Sequence, residues 1–395
     1  LEALLVALES ARGGKRWYVP ASPLQVVCFS LCVACREHFQ WQVVITTDFQ
    51  RRLWTNKRFR LHQGDTKSSR IPEARVRSMT WDVVLTKETF LSESDRLIDF
   101  FEWPASLQEL TFGWYFNRPI KSISWPTSLK LLTFFGYFDK PIEGVLWPES
   151  LRQLRFSMRF NKPINRVVWP ASLEHLIFGR CFDQPIDGII WPASLKQLAF
   201  GDCFNHPINN VKWPASLEKL TFGDRFNQPI DNVVWPESLP ELSFPWSFNQ
   251  TIDNNVTWPM SLRRLTFGRS FNNKIDGTTW PSSLQRLTLG TYFDRPIDTV
   301  LWPVSLQKLT FGWKFNQPIE GVVWPISLQQ LTFGTCFNQP VKYVLWPESL
   351  QQLTFGTCFD QPIDMVIWPS SLRKMTFGWE FNQLIENVVW PESLR

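Results

Sequence analysis

The sequence predicts a mainly β protein, a parallel β solenoid of about 13 turns preceded by a small N-terminal region of mixed structure. Three observations carry this reading. Trp-Pro pairs begin at Trp103, Trp125, Trp147, Trp169, Trp191, Trp213, Trp235, Trp258, Trp280, Trp302, Trp324, Trp346, Trp368 and Trp390; twelve of the thirteen intervals are 22 residues and one is 23. Ten of the thirteen periods carry a second Pro, before Ile or Val, and two Pro per unit leave gaps too short for a helix, because each removes a donor and biases its predecessor to extended geometry. Between the prolines lie two β-like stretches, Ser-Leu-x-x-Leu-Thr-Phe and Ile-x-x-Val-x-Trp, rich in aromatic and β-branched residues. A unit this short cannot bury its own apolar face, so successive units must stack, each stretch pairing in parallel with its equivalent one turn away at about 4.8 Å.

The period also explains the composition, since the Trp-Pro column holds 14 of the 22 Trp. With 15% aromatic and 19% charged residues the chain is excluded from the disordered class. Its longest apolar runs, such as residues 4–8, are far shorter than the roughly 18 residues of a membrane-spanning helix. Residues 1–80 hold 13 Lys and Arg against 6 acids, a surplus of +7; the remaining 28 against 30 give −2, which together make the formal +5. That balance announces no general nucleic-acid binder. Seven cysteines in 395 residues argue against a disulfide scaffold and for a reducing, cytoplasmic setting. The start at Leu1 and the stop at Arg395 inside a motif suggest truncation at both ends, so an upstream secretion signal is left open, and they suggest either a monomer or end-to-end association through uncapped termini.

In chain order, Leu1, Leu4, Leu5 and Leu8 have helical spacing ended by Gly13 and Gly14, and residues 24–39 form a second helix candidate. Residues 41–46 read as a strand and 63–70 as a polar linker. Trp81 lies 22 residues before Trp103, with Leu85, Phe90, Ile98 and Phe101 on unit positions, which suggests a degenerate capping turn. The predicted division is therefore an N-terminal region at 1–75 whose fold the sequence does not define, a capping repeat at 76–102 and a solenoid at 103–395.

Within the solenoid, Asn or Asp follows the second Phe of every unit, as at Asn205, Asn227, Asn249 and Asp360, and no two Asp are adjacent in that column. A short polar side chain at one fixed point of each turn suits a buried ladder that caps the turn's own backbone two residues on. The 23-residue interval contains Asp253, Asn254 and Asn255, and its neighbourhood carries Pro240 and Pro245. It is expected to widen a corner or form a bulge, and to make 236–257 the weakest part of the sheet and a candidate bend. Cys181 and Cys203, and likewise Cys336 and Cys358, fall at the same point of consecutive units.

These units, for example Phe226-Asn227-Gln228-Pro229-Ile230 followed by Pro236-x-Ser238-Leu239, resemble the FNIP repeat family, a relative of the leucine-rich repeats. The resemblance covers residues 103–394. It implies a leucine-rich-repeat-like solenoid that offers an interaction surface. Relatives can carry an F-box ahead of the solenoid, so by analogy residues 23–39 are where an F-box-like adaptor would place one, although they show no F-box consensus.

No motif points to catalysis. Cys28, Cys32 and Cys35 have the spacing of a radical S-adenosylmethionine cluster but lie on one face of an apolar helix pattern, which reads as core. A zinc site from Cys32, Cys35 and His38 lacks a fourth ligand. His175 and His206 sit at different points of their turns, and no phosphate loop or nucleophile elbow is present. The protein is therefore expected to be no enzyme and to need no cofactor or metal. Arg51, Arg52, Lys57, Arg58 and Arg60, interleaved with Trp54 and Phe59, read as a solvated basic face, so no nucleic-acid partner is expected.

The variable columns are more informative. Arg264, Arg286 and Lys308 are consecutive in one column, followed by Gln330, Gln352 and Lys374; the neighbouring column contains Arg263, Gln329 and Arg373. Exposed aromatics are expected just after the strand, at Trp313 and Trp379 among others. Together these suggest a non-catalytic repeat scaffold that binds another protein, acidic in character, across its strand face. The Thr column from Thr266 to Thr376 raises an alternative, lattice or ice binding, which the flanking long Arg, Lys and Gln side chains disfavour.

Overall fold

The structure, a computed structural model, describes the strands at 41–45 and 76–81, Trp103 and residues 105–395. The two helix candidates before residue 40, the cysteine and basic clusters and the linker at 63–70 lie outside the described residues. Two compact units are present, one comprising residues 1–160 and 167–173, the other 161–166 and 174–395. Among the described residues there is no helix.

The first unit contains β1 (Trp41–Ile45), β2 (Val76–Trp81), β3 (Glu109–Phe112), β4 (Leu131–Phe134) and β5 (Gln153–Arg155), each parallel to the next. β1 agrees with the expected strand at 41–46. The register of β2 corrects the expected alignment of Trp81: it pairs with Phe112, 31 residues on, and not with the Trp-Pro column. The run Val76–Trp81 is itself a β-branched and aromatic stretch, so it forms the strand directly.

The second unit contains β6 (His175–Ile177), β7 (Gln197–Ala199), β8 (Lys219–Thr221), β9 (Glu241–Ser243), β10 (Arg264–Thr266), β11 (Arg286–Thr288), β12 (Lys308–Thr310), β13 (Gln330–Thr332), β14 (Gln352–Thr354) and β15 (Lys374–Thr376). All neighbours are parallel and in register, as in Leu309↔Leu331↔Leu353. Only the first of the two predicted β-like stretches makes this ladder. In the second, a turn intervenes: Val322 N donates to Ile319 O at 3.3 Å, and the same turn recurs at Val300 and Val344. Trp302, Trp324, Trp346 and Trp368 stack on that side with ring centroids 5.9 to 6.5 Å apart.

The core lies between these two sides. Leu328, Phe337 and Leu350 are fully buried, and so are their equivalents in neighbouring turns. Phe333 stacks on Phe337 within one turn at 4.0 Å, while Phe315, Phe337 and Phe359 stack across turns at 6.0 Å. Glycine after the strand is a demand of close approach: a Cβ on Gly334 would lie 1.7 Å from the carbonyl oxygen of Gly312.

Two polar columns tie turn to turn. Ser Oγ of the Trp-Pro-x-Ser segment donates to the Leu carbonyl of the preceding turn along most of the stack, as Ser327 to Leu306 and Ser349 to Leu328, both at 2.8 Å. The Asn/Asp column also runs along the stack, which corrects the expected buried cap within each turn. From Asn161 to Asp360 each Oδ1 accepts the main-chain N–H of its equivalent in the next turn, without a break, at 2.8 to 3.0 Å. The side chains are half-buried or exposed, because the next turn's backbone approaches from the side and leaves the carboxamide at the surface. The following Gln joins in: Gln250 Nε2 donates to both O and Oδ1 of Asn227 at 3.0 Å.

The extra residue is absorbed in a widened corner, as expected. Asn255 N donates to Asp253 Oδ1 and Val256 N to Asp253 O, while Ile252 and Val256 stay buried. The expected weakness of the sheet at 236–257 is not found: β9 pairs in full with both neighbours, and Pro240 O accepts from Arg263 and Arg264. The insertion instead disturbs the Ser column, where Ser261 Oγ is buried without a partner.

Asn227→Ala removes the acceptor of Asn249 N and Gln250 Nε2, so it should cost about 1 to 3 kcal/mol in urea unfolding. Gln228→Ala, which loses only exposed bonds to Asn205, should cost less than about 1 kcal/mol. Equal costs would contradict the ladder.

The same column has an acid-sensitive member. The backbone N–H of Asn382, and then the Gln383 amide, hold the Asp360 carboxyl below its ordinary value. A depressed carboxyl adds stability above its unfolded value of about pH 3.9, and that contribution disappears as pH falls through the lower folded value. The stability of the wild type relative to Asp360→Asn should therefore be constant above about pH 5 and fall below about pH 4. Thermal melts across that range test the sign.

Cys336 and Cys358 are free, half-buried thiols in the same column of adjacent turns. Burial first, then the Glu380 carboxylate and the Cys336 thiol, push the Cys358 thiol up. Mild oxidation should link Cys336 to Cys358, slowly at neutral pH and faster in Glu380→Gln, and should link Cys181 to Cys203. A Cys203 to Cys336 link inside one molecule, on peptide mapping, would refute sequential stacking.

Candidate functional site

The strand face of the second unit is built from short strands whose middle residue points inward. In Lys308–Thr310, Leu309 is fully buried and the flanking side chains are partly exposed. The residue just ahead of each strand also projects outward, because its carbonyl accepts two N–H groups from the next turn. Arg263 O receives Gln285 N and Arg286 N, both at 2.9 Å, and Gln329 O receives Gln351 N and Gln352 N. This forked bond turns the chain as it enters the strand, so the two columns stand side by side.

The ladder brings the predicted residues together in the predicted order: Arg264↔Arg286↔Lys308↔Gln330↔Gln352↔Lys374. Arg263, Gln329 and Arg373 lie immediately beside them on the same strands' entry. The cationic run is modified at one end, since Arg264 Nη1 pairs with Glu241 Oε1 across the ladder at 2.6 Å. Arg286 and Lys308 have no ion-pair partner among the described residues. Trp313 and Trp379 are exposed, at 56% and 96%.

Sequence reasoning missed a cluster three to four residues beyond the strands. The Arg269 guanidinium lies over the Trp246 ring at 4.7 Å and over the Tyr292 ring at 5.1 Å, and its Nη2 donates to Tyr292 Oη at 2.9 Å. Its signal was present in the two variable residues after each Gly, read across turns instead of along the chain. Such an arrangement fixes a cation between two aromatics that are themselves partly exposed. The two solenoid histidines engage separate partners: His175 Nδ1 meets Gln197 Oε1 at 3.2 Å, and His206 Nε2 lies 3.3 Å from Asp183 Oδ1.

Among the described residues no group of three His, Cys, Asp or Glu is gathered as metal ligands, and no helix is long and apolar enough to cross a membrane. No curated protein is significantly similar in sequence. Among solved structures, the chain is similar to the crystal structure of CroV588, described as a novel circular leucine-rich-repeat protein, with 40% identity and a TM-score of 0.66 over 81% of this chain. It spans about half (49%) of that protein's length. A crystal structure of an internalin (inlF) from Listeria monocytogenes str. 4b F2365 matches 70% of this chain and 81% of its own at 13% identity and a TM-score of 0.44. The FNIP repeat profile matches in eleven stretches that together cover residues 102–395, from 102–137 to 359–395. With stacked 22-residue turns, parallel three-residue strands and that match over the whole solenoid, the chain belongs to the FNIP repeat family.

Proposed function

We infer that the protein is a non-catalytic scaffold that binds an acidic protein partner across the strand face of its second unit. The repeat architecture supports a scaffold, because stacked turns supply a long regular surface with little convergence of titratable groups. The observation that carries the choice of face is the adjacency of Arg286 and Lys308 on paired strands without a carboxylate partner. Like charges about 5 Å apart are unfavourable in the free protein, and an acidic ligand relieves them. Trp313 and the Trp246–Arg269–Tyr292 cluster frame this pair with aromatic anchors. The long side chains beside the Thr column favour this reading over a flat lattice ligand. On this reading the solenoid at 103–395 carries the binding face, Trp41–Ile45 and Val76–Trp81 extend the sheet ahead of β3, and the sparse cysteines support a cytoplasmic setting.

The partner captured by the full chain should be released by salt. It should bind at least about tenfold more weakly to the Arg286→Glu, Lys308→Glu double variant, and more weakly to Trp313→Ala. Undiminished binding by the double variant, with its melting unchanged, would remove the strand face from the function.

A further inference from the structure

The opposite side of the second unit carries a feature that the strand face does not use. In the residue before each Trp-Pro pair, five consecutive turns present an aliphatic side chain to solvent: Leu301, Val323, Leu345, Ile367 and Val389, between 79% and 86% exposed. Their neighbours in sequence on both sides are buried, except the half-buried Trp390, so the alternation of the backbone holds each one outward. Val304 and Ile326, just past the prolines, extend the patch at 72% and 84% exposure. At about 100 Å² for each side chain, the seven offer roughly 700 Å², close to one partner's share of a stable interface. Between the last two turns the stripe deepens into an open groove of about 800 Å³ lined by Ile367, Trp368, Val389 and Trp390 together with Asp364 and Glu392.

The rim gives the sign of the partner. In these turns the exposed columns flanking the stripe hold Asp298, Glu320, Asp364 and Glu386 on one side and Glu348 and Glu392 on the other. The only cation in those positions is Lys342, which lies over the Tyr343 ring. None of the six carboxylates has a cationic partner among the described residues. A second copy laid on this stripe would set carboxylates against carboxylates, and an anionic lipid surface would be repelled.

The spacing gives the shape. The Trp column beside the stripe repeats at 5.9 to 6.5 Å, and a helix returns one face every 5.4 Å or so. Five rows thus match about 17 residues of helix.

We propose that this acidic-rimmed aliphatic stripe is a second docking surface, and that its occupant is a basic amphipathic helix of a partner protein. The proposal is independent of the strand-face reading and requires a ligand of opposite charge.

The test uses the full chain and two labelled peptides of about 17 residues, with Leu at helical period and either Lys or Glu at the other positions. The Lys peptide should bind, and added salt should weaken it. Val323→Lys with Leu345→Lys should weaken it at least about tenfold, and so should Glu320→Lys with Glu386→Lys, which leaves the stripe intact. All four sites are exposed, so circular dichroism and melting should match the wild type. Equal binding of the Glu peptide, or binding unaffected by both double variants, overturns the proposal. Concentration-dependent dimerisation of the chain alone that Val323→Lys and Leu345→Lys abolish also overturns it, and assigns the stripe to a second copy.

Discussion

The parallel main-chain ladder through three-residue strands is the interaction on which the rest of the structure depends. It fixes each turn at the same rotation as the one before, and from that single register every column follows. A 22-residue turn buries too little surface to fold alone, but stacked in register it places Phe337 between Phe315 and Phe359 with nothing exposed. Each such Phe contributes about 2 to 3 kcal/mol of burial, and the neighbour supplies half of the enclosure. The close approach is strict enough that a side chain at Gly334 would meet backbone, yet Ser157 occupies the equivalent position in the first unit and bonds the Phe138 carbonyl. Register, and not any one residue type, is therefore the conserved quantity within this chain.

Where polar groups fall in that register decides whether they stabilise. Ser and Asn columns succeed because their acceptors recur at the same offset, one turn away. The 23-residue interval tests this directly. The widened corner keeps Ile252 and Val256 inside and the strands paired, so the apolar core tolerates one extra residue. A hydroxyl is less forgiving, since a hydrogen bond is lost over a shift that van der Waals contact survives, and Ser261 is left unpaired.

Much of this was legible in the sequence because a fixed period turns one local inference into thirteen repeated ones. The strand column, its parallel register and the order of Arg264, Arg286 and Lys308 came from spacing alone. What spacing does not reveal is where a turn interrupts the extended chain. Ile-x-x-Val-x-Trp has strand-like composition, but Val322 N bonds Ile319 O within its own unit, so the stretch closes a turn and adds no strand to the sheet. The Asn column was placed correctly and its partner misassigned, because an Asx side chain bonds within a turn or to the next with equal ease until the stacking distance is known. Trp81 was misaligned for a related reason: at the cap the strand itself, and not the Trp-Pro pair, sets the register. The Arg269 cluster was invisible along the chain because its members are a full turn apart.

The exposed aliphatic stripe belongs to the same lesson and carries it into function. A solenoid with a fully determined core has few places where sequence is free to vary, and those places are columns. On the strand side of the second unit the free columns hold cations and aromatics. On the Trp side they hold aliphatics between carboxylates. Core packing explains neither, since Leu345 and Ile367 lie outside it and Arg286 and Lys308 repel one another. Five aliphatic side chains in water oppose solubility just as adjacent cations oppose stability, and each is relieved by a ligand of the complementary kind. The two proposed docking surfaces thus have opposite chemistry and arise from different columns of the same turns.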